Sequence, residues 1–124
     1  MPHEIKYPRM RMELIETMRA LSDAEYQRQA WVDHNYPPGI EYDDFNAAIH
    51  FLYDDASLDK AAGIGELVKD ENEAAQVSEV IKALNRVFEA KGLDATDEEY
   101  ISSPEWQSVL TTALAAYQLL KSDP

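Results

Sequence analysis

The chain has 124 residues, a length that fits one domain with a modest hydrophobic core. It contains no cysteine, which excludes disulfides, thiolate catalysis and cysteine-ligated metals. Its net charge of −13 repels nucleic acid and anionic membrane, and attracts basic protein surfaces and cations.

The charge is unevenly placed. Residues 1–38 carry five basic and six acidic side chains, whereas residues 39–124 carry six basic and eighteen acidic ones, a net of −12. Solubility alone also accounts for such a surface. Seven Tyr, three Phe and two Trp separate the chain from disordered acidic tails. Its opening residues, Met1-Pro2-His3-Glu4-Ile5-Lys6, lack the apolar stretch of a signal peptide. No apolar run approaches the roughly 20 residues that span a bilayer, and a cytoplasmic chain is expected.

Apolar residues recur at helical spacing nearly throughout. Pro8 suits a first helical turn, and Met10, Leu14, Ile15, Met18 and Leu21 predict a helix over about 8–20. Ser22-Asp23-Ala24-Glu25 reads as a capping box opening a second helix, about 23–34, with Tyr26, Ala30 and Trp31 or Val32 inward. Pro37-Pro38-Gly39 ends it. Asp43 or Asp44 starts a third helix, about 43–54, with Phe45, Ile49, Leu52 and Tyr53 on its apolar face. Residues 55–65 carry only a weak pattern.

A long amphipathic helix follows over about 70–91, striped by Ala74, Val77, Ile81, Leu84 and Phe88 and closed by Gly92. Thr96-Asp97-Glu98-Glu99 is a second capping box, and Ser103-Pro104-Glu105 starts another helix. The last helix, about 104–120, turns Trp106, Val109, Leu110, Ala113, Leu114, Tyr117 and Leu120 inward. No strand alternation or tandem repeat is visible. The expected fold is all-α: residues 1–124 form one domain, a compact bundle of five or six helices.

Three constellations bear on function. Asp55, Ser57, Asp59 and Glu66 occupy positions 1, 3, 5 and 12 of a calcium loop, as do Asp94, Thr96, Glu98 and Glu105. Position 6, where the sharp turn wants glycine, is Lys60 in one and Glu99 in the other. Asp43, His50 and Asp54 fall near one helix face, where His34 would have to complete a metal or acid–base site. Helix capping by Asp43 explains part of that set without a ligand. Thirdly, residues 41–59 hold Glu41, Asp43, Asp44, Asp54, Asp55 and Asp59 with no Lys or Arg and with Tyr42, Phe45 and Tyr53 interleaved, and residues 94–105 hold Asp94, Asp97, Glu98, Glu99 and Glu105, again without a basic residue and with Tyr100 nearby. Acid plus aromatic suits the gripping of a basic protein surface.

No nucleophile motif or phosphate-binding glycine loop is present, so no catalytic residue is assigned. Arg9, Arg11, Arg19 and Arg28 suggest a phosphate site along the first two helices, but Glu13, Glu16 and Glu25 offer local ion pairs instead.

Tyr26, Trp31, Tyr36-Pro37, Tyr42-Asp43-Asp44-Phe45 and His50-Phe51-Leu52-Tyr53-Asp54-Asp55 resemble the corresponding block of a family of small acidic bacterial proteins. The resemblance covers about residues 20–60. In size, charge and helical build that family is similar to immunity proteins, which neutralise toxin domains delivered between bacteria. That likeness, together with the −12 charge of residues 39–124, leads to the expectation of a non-catalytic immunity-type inhibitor. It would occlude a basic toxin domain, such as a nuclease, through Asp43, Asp44, Tyr53, Asp54 and Asp55. The net charge leaves no nucleic-acid or membrane partner expected, and no cofactor or metal is assigned. Two alternatives stay open: a divalent-metal protein using Asp55, Ser57, Asp59 and Glu66 or the His50 region, and a helical module self-associating through Val77, Ile81, Leu84 and Phe88.

Overall fold

Pro8 has its φ pre-set for a first helical turn and no N–H to leave unpaired there. The first helix, α1, accordingly runs Pro8–Leu21 in the computed structural model, which describes residues 5–55 and 66–121. Arg11, Leu14, Met18 and Leu21 lie three and four residues apart and form its buried face.

The second helix, α2, starts at Ala24–Tyr26 and continues as a π-helical Gln27–Val32. Its cap is Asp23, not Ser22. Ser22 has a helical backbone and donates its hydroxyl to Arg19 C=O at 2.8 Å, which finishes α1. Asp23 is extended, as a cap residue must be, and accepts the Tyr26 N–H at 3.0 Å. The helix also ends before the prolines. His34 takes φ 55°, and Asn35 N–H closes back onto Gln29 C=O at 2.9 Å.

Asp44 caps α3, accepting the Ala47 N–H at 2.8 Å. This helix begins as Phe45–Ile49 and continues as a second π-helical stretch, His50–Asp55. The i→i+5 turn departs from the 3.6-residue period. Adjacent residues are buried together in both π stretches: Ala30 with Trp31, and Phe51 with Leu52.

Asp70 caps α4, Glu71–Lys91, and Gly92 ends it at φ 80°, a backbone conformation that costs glycine little. The expected Thr96–Glu99 capping box is present and opens α5, Asp97–Ile101. Ser103 does not cap the next helix; its hydroxyl goes back to Tyr100 C=O at 2.8 Å. The last helix, α6, runs Trp106–Lys121.

Among the described residues there is no β-strand, and the six helices form one bundle. The most extensive contacts run from α6 to α4 and to α1. One core joins Leu14 and Met18 to Val77 and Leu84 and to Val109 and Ala116. The α4 stripe expected to be free for self-association faces this core. Val77 and Leu84 are fully buried, Ile81 nearly so, and Phe88 packs on Phe45 and Tyr100, so the stripe is no dimer interface. Leu114 points outward instead of inward. No helix of the described residues is long and apolar enough to cross a membrane.

Candidate functional site

The N-terminus of α3 and the C-terminal half of α4 meet around aromatic rings. Phe45 lies 5.0 Å from Tyr100 and 5.8 Å from Phe88 between ring centroids, and Phe88 stands edge-on to Tyr53 at 6.3 Å. A groove of about 690 Å³ opens over these rings. Buried Phe45 and Tyr100 form its base, and half-buried Ile49, Tyr53 and Phe88 form its walls. Leu93, just after the Gly92 cap, stands at its edge and is 80% exposed.

The tyrosine hydroxyls are already tied down. Tyr53 donates to Asn85 Oδ1 at 2.6 Å, and Tyr100 donates to the Gly92 carbonyl at 2.7 Å. The rings are therefore held in place without a ligand. Among the described residues, three carboxylates, from Asp54, Glu89 and Asp97, reach the lining, and none of the lining residues is Lys or Arg. Burial raises the Asp97 pKa above the usual carboxylate value, against the lowering effect of the Phe45 N–H, which it accepts at 3.0 Å. Nearby Asp44 and Asp43 add to the rise, and His34 opposes it. A second depression, about 390 Å³, shares Asp97 and is also lined by His34, Tyr42, Asp44 and Glu98.

The five residues expected to contact a partner divide. Tyr53 and Asp54 line the groove. Asp44 caps α3, accepts the Tyr42 hydroxyl at 2.6 Å and lines the second depression. Asp43 turns inward: its Oδ2 accepts from the Tyr26 hydroxyl at 2.5 Å and from Trp31 Nε1–H at 3.0 Å. Asp55 ends the π-helical stretch, and its side chain lies outside the described residues. Glu89 and Leu93 escaped the sequence reading. Glu89 follows Phe88 and shares a helix face with Asn85, which was a usable signal.

The metal candidates separate similarly. His50 Nδ1 lies 2.9 Å from Asp54 Oδ2, while Asp43 is engaged by Tyr26 and Trp31. In the second calcium-like segment Thr96 serves the α5 cap and Glu98 pairs with Arg28 at 2.6 Å. Ser57 and Asp59 of the first lie outside the described residues, and Glu66 is exposed. Among the described residues no three His, Asp or Glu side chains gather as a metal-binding group. The arginines form no single basic face. Arg11 is buried against Glu73, Arg19 pairs with Glu16 at 3.0 Å, and Arg28 reaches Glu98.

Comparison with known proteins adds one relationship. No curated protein and no solved structure matches the chain. A family model described as a domain of unknown function, DUF7945, matches residues 5–124, and the chain belongs to that family.

Proposed function

We propose that the chain is a non-catalytic binding protein that covers a basic protein partner with its acidic face. In this reading it acts as an immunity-type inhibitor occluding a toxin domain, such as a nuclease, in the bacterial cytoplasm. The observation that carries the proposal is the groove: aromatic walls, a rim of Asp54, Glu89 and Asp97, and no Lys or Arg among the described lining residues. Carboxylates of this kind steer a basic partner toward the surface and pair with its cations. Tyr and Phe rings supply contact area at low entropic cost. Asp44, beside the second depression, extends the acidic surface across Asp97. Inhibition then needs no chemistry, only a covered active site.

The test is retention of a partner from cell lysate by the tagged protein at low salt, followed by elution with salt. It is run beside the triple variant Asp44→Asn, Asp54→Asn, Glu89→Gln. Asn still caps α3, so the fold is preserved. A basic protein released by salt and lost by the variant supports the proposal. A partner held equally by the variant and at high salt would overturn it, as would a lysate that yields no basic protein.

A further inference from the structure

Charge selects the sign of a partner but not how it docks, and the groove offers more than charge. Leu93 leaves four-fifths of its surface in water beside half-buried Ile49, Tyr53 and Phe88. Covering such a patch is favourable in proportion to its apolar area. The Tyr53 and Tyr100 hydroxyls have partners within the protein, so the walls do not depend on a ligand for hydrogen bonds. The carboxylates at the rim do make a demand: an apolar group seated between them without a cation would strip their water unrepaid.

We infer that the groove seats an amphipathic basic segment of the partner protein. An apolar anchor side chain sits against Leu93 and Phe88, and flanking Arg or Lys residues pair with Asp54, Glu89 and Asp97; this rests on the binding-protein reading above. The volume, about 690 Å³, falls in the range of sites that enclose a drug-sized ligand, enough for an anchor with its neighbours. A second copy of the chain fits poorly, since it brings a charge of −13 to the same rim. An acidic segment is rejected for the same reason, so the groove discriminates by repulsion as well as by attraction.

The test uses three synthetic helical peptides and titration calorimetry. The first carries leucines at i, i+4 flanked by Arg and Lys. The second has Ser for each Leu. The third has Glu for each Arg and Lys. The first is expected to bind about tenfold tighter than the second, and the third not at all. Leu93→Ser, at an exposed position that leaves the fold intact by circular dichroism, should weaken the first peptide several-fold and leave the second unchanged. Asp54→Asn with Glu89→Gln should weaken both. If the first two peptides bind equally and Leu93→Ser changes neither, the groove is not the anchor, while the basic-partner reading stands. If no basic peptide binds and the lysate also yields no basic protein, both fail. A dimer in sedimentation that Leu93→Ser disperses assigns the groove to a second copy and overturns the inference.

Discussion

Arg11 and Glu73, 62 residues apart in sequence, meet end-on inside the bundle, with Nη1 2.7 Å from Oε1 and Nη2 2.9 Å from Oε2. Glu73 is fully buried and also accepts the Lys69 N–H at 2.7 Å. Arg11 donates further to the Leu67 carbonyl at 2.8 Å and the Leu120 carbonyl at 3.4 Å. One ion pair thus ties α1, the approach to α4, the first turn of α4 and the end of α6. Its carboxylate sits in that first turn, where the helix dipole favours negative charge.

Removing either partner strands a buried charge. Arg11→Met or Glu73→Leu alone should cost about 3–5 kcal/mol in urea denaturation. The double replacement should recover most of that loss, because an apolar pair of similar volume needs no desolvation of charge. A double variant as weak as the sum of the singles would show that the backbone bonds to Leu67, Lys69 and Leu120 matter more than the pair itself.

Gln27 is the second buried polar anchor. It is fully buried, donates Nε2–H to the Ala20 carbonyl at 2.7 Å and accepts Trp106 Nε1–H at 2.9 Å. Gln27→Leu keeps the volume but orphans both groups, at an expected cost of about 1–3 kcal/mol per unsatisfied group. The Trp emission should shift as the Trp106 indole loses its acceptor. An unchanged spectrum with unchanged stability would contradict the hydrogen-bonded arrangement.

Asp43 tests the division between anchoring and binding. Its carboxylate holds Tyr26 and Trp31 together, and burial followed by the bond to Asp43 pushes the Tyr26 hydroxyl pKa up. Asp43→Ala should therefore destabilise the fold by about 1–3 kcal/mol and bring Tyr26 ionisation closer to its ordinary range. The salt dependence of partner binding should stay close to wild type, unlike that of Asp54→Asn. A variant of normal stability and altered salt slope would move Asp43 from the fold to the binding face.

The periodic parts of the fold were legible from the residues. Pro8, Gly92 and Thr96–Glu99 mark boundaries because each acts through local backbone geometry. The reading fell short where the period changes. A 3.6-residue template fits neither π-helical stretch, so Gln27 and Phe51 were not recognised as buried. It also fell short where a charge finds a distant partner: Arg11 looks like a member of a surface series until Glu73 arrives from α4. The groove was half legible. Tyr53, Asp54 and Asp97 came from two acidic, aromatic runs, but Glu89 and Leu93 join them only through the packing of α3 against α4 and α5.

Acid stability should expose two carboxylates with opposite signs. Burial raises the Asp97 pKa in the folded state, so its ionised form subtracts stability at neutral pH, and that cost is relieved as pH falls through the raised value. Glu99 is held below its usual value by the Thr96 N–H and hydroxyl of the capping box; its contribution is present above about pH 4.3, the unfolded value, and is lost below it. Asn at position 97 can still accept the Phe45 N–H, so Asp97→Asn should gain most over wild type near neutrality, with the gain narrowing toward about pH 4. Glu99→Gln should lose most near neutrality, its deficit closing below about pH 4. Urea midpoints between pH 3 and pH 7, a range of about four units that contains those values, separate the two; parallel curves would refute both assignments. The same proton bears on the groove. A cation seated beside Asp97 favours its ionised form, so binding of the basic peptide should release a proton and tighten as pH rises through that residue's titration. Calorimetry in buffers of different ionisation enthalpy reads the release directly, and Asp97→Asn should abolish it.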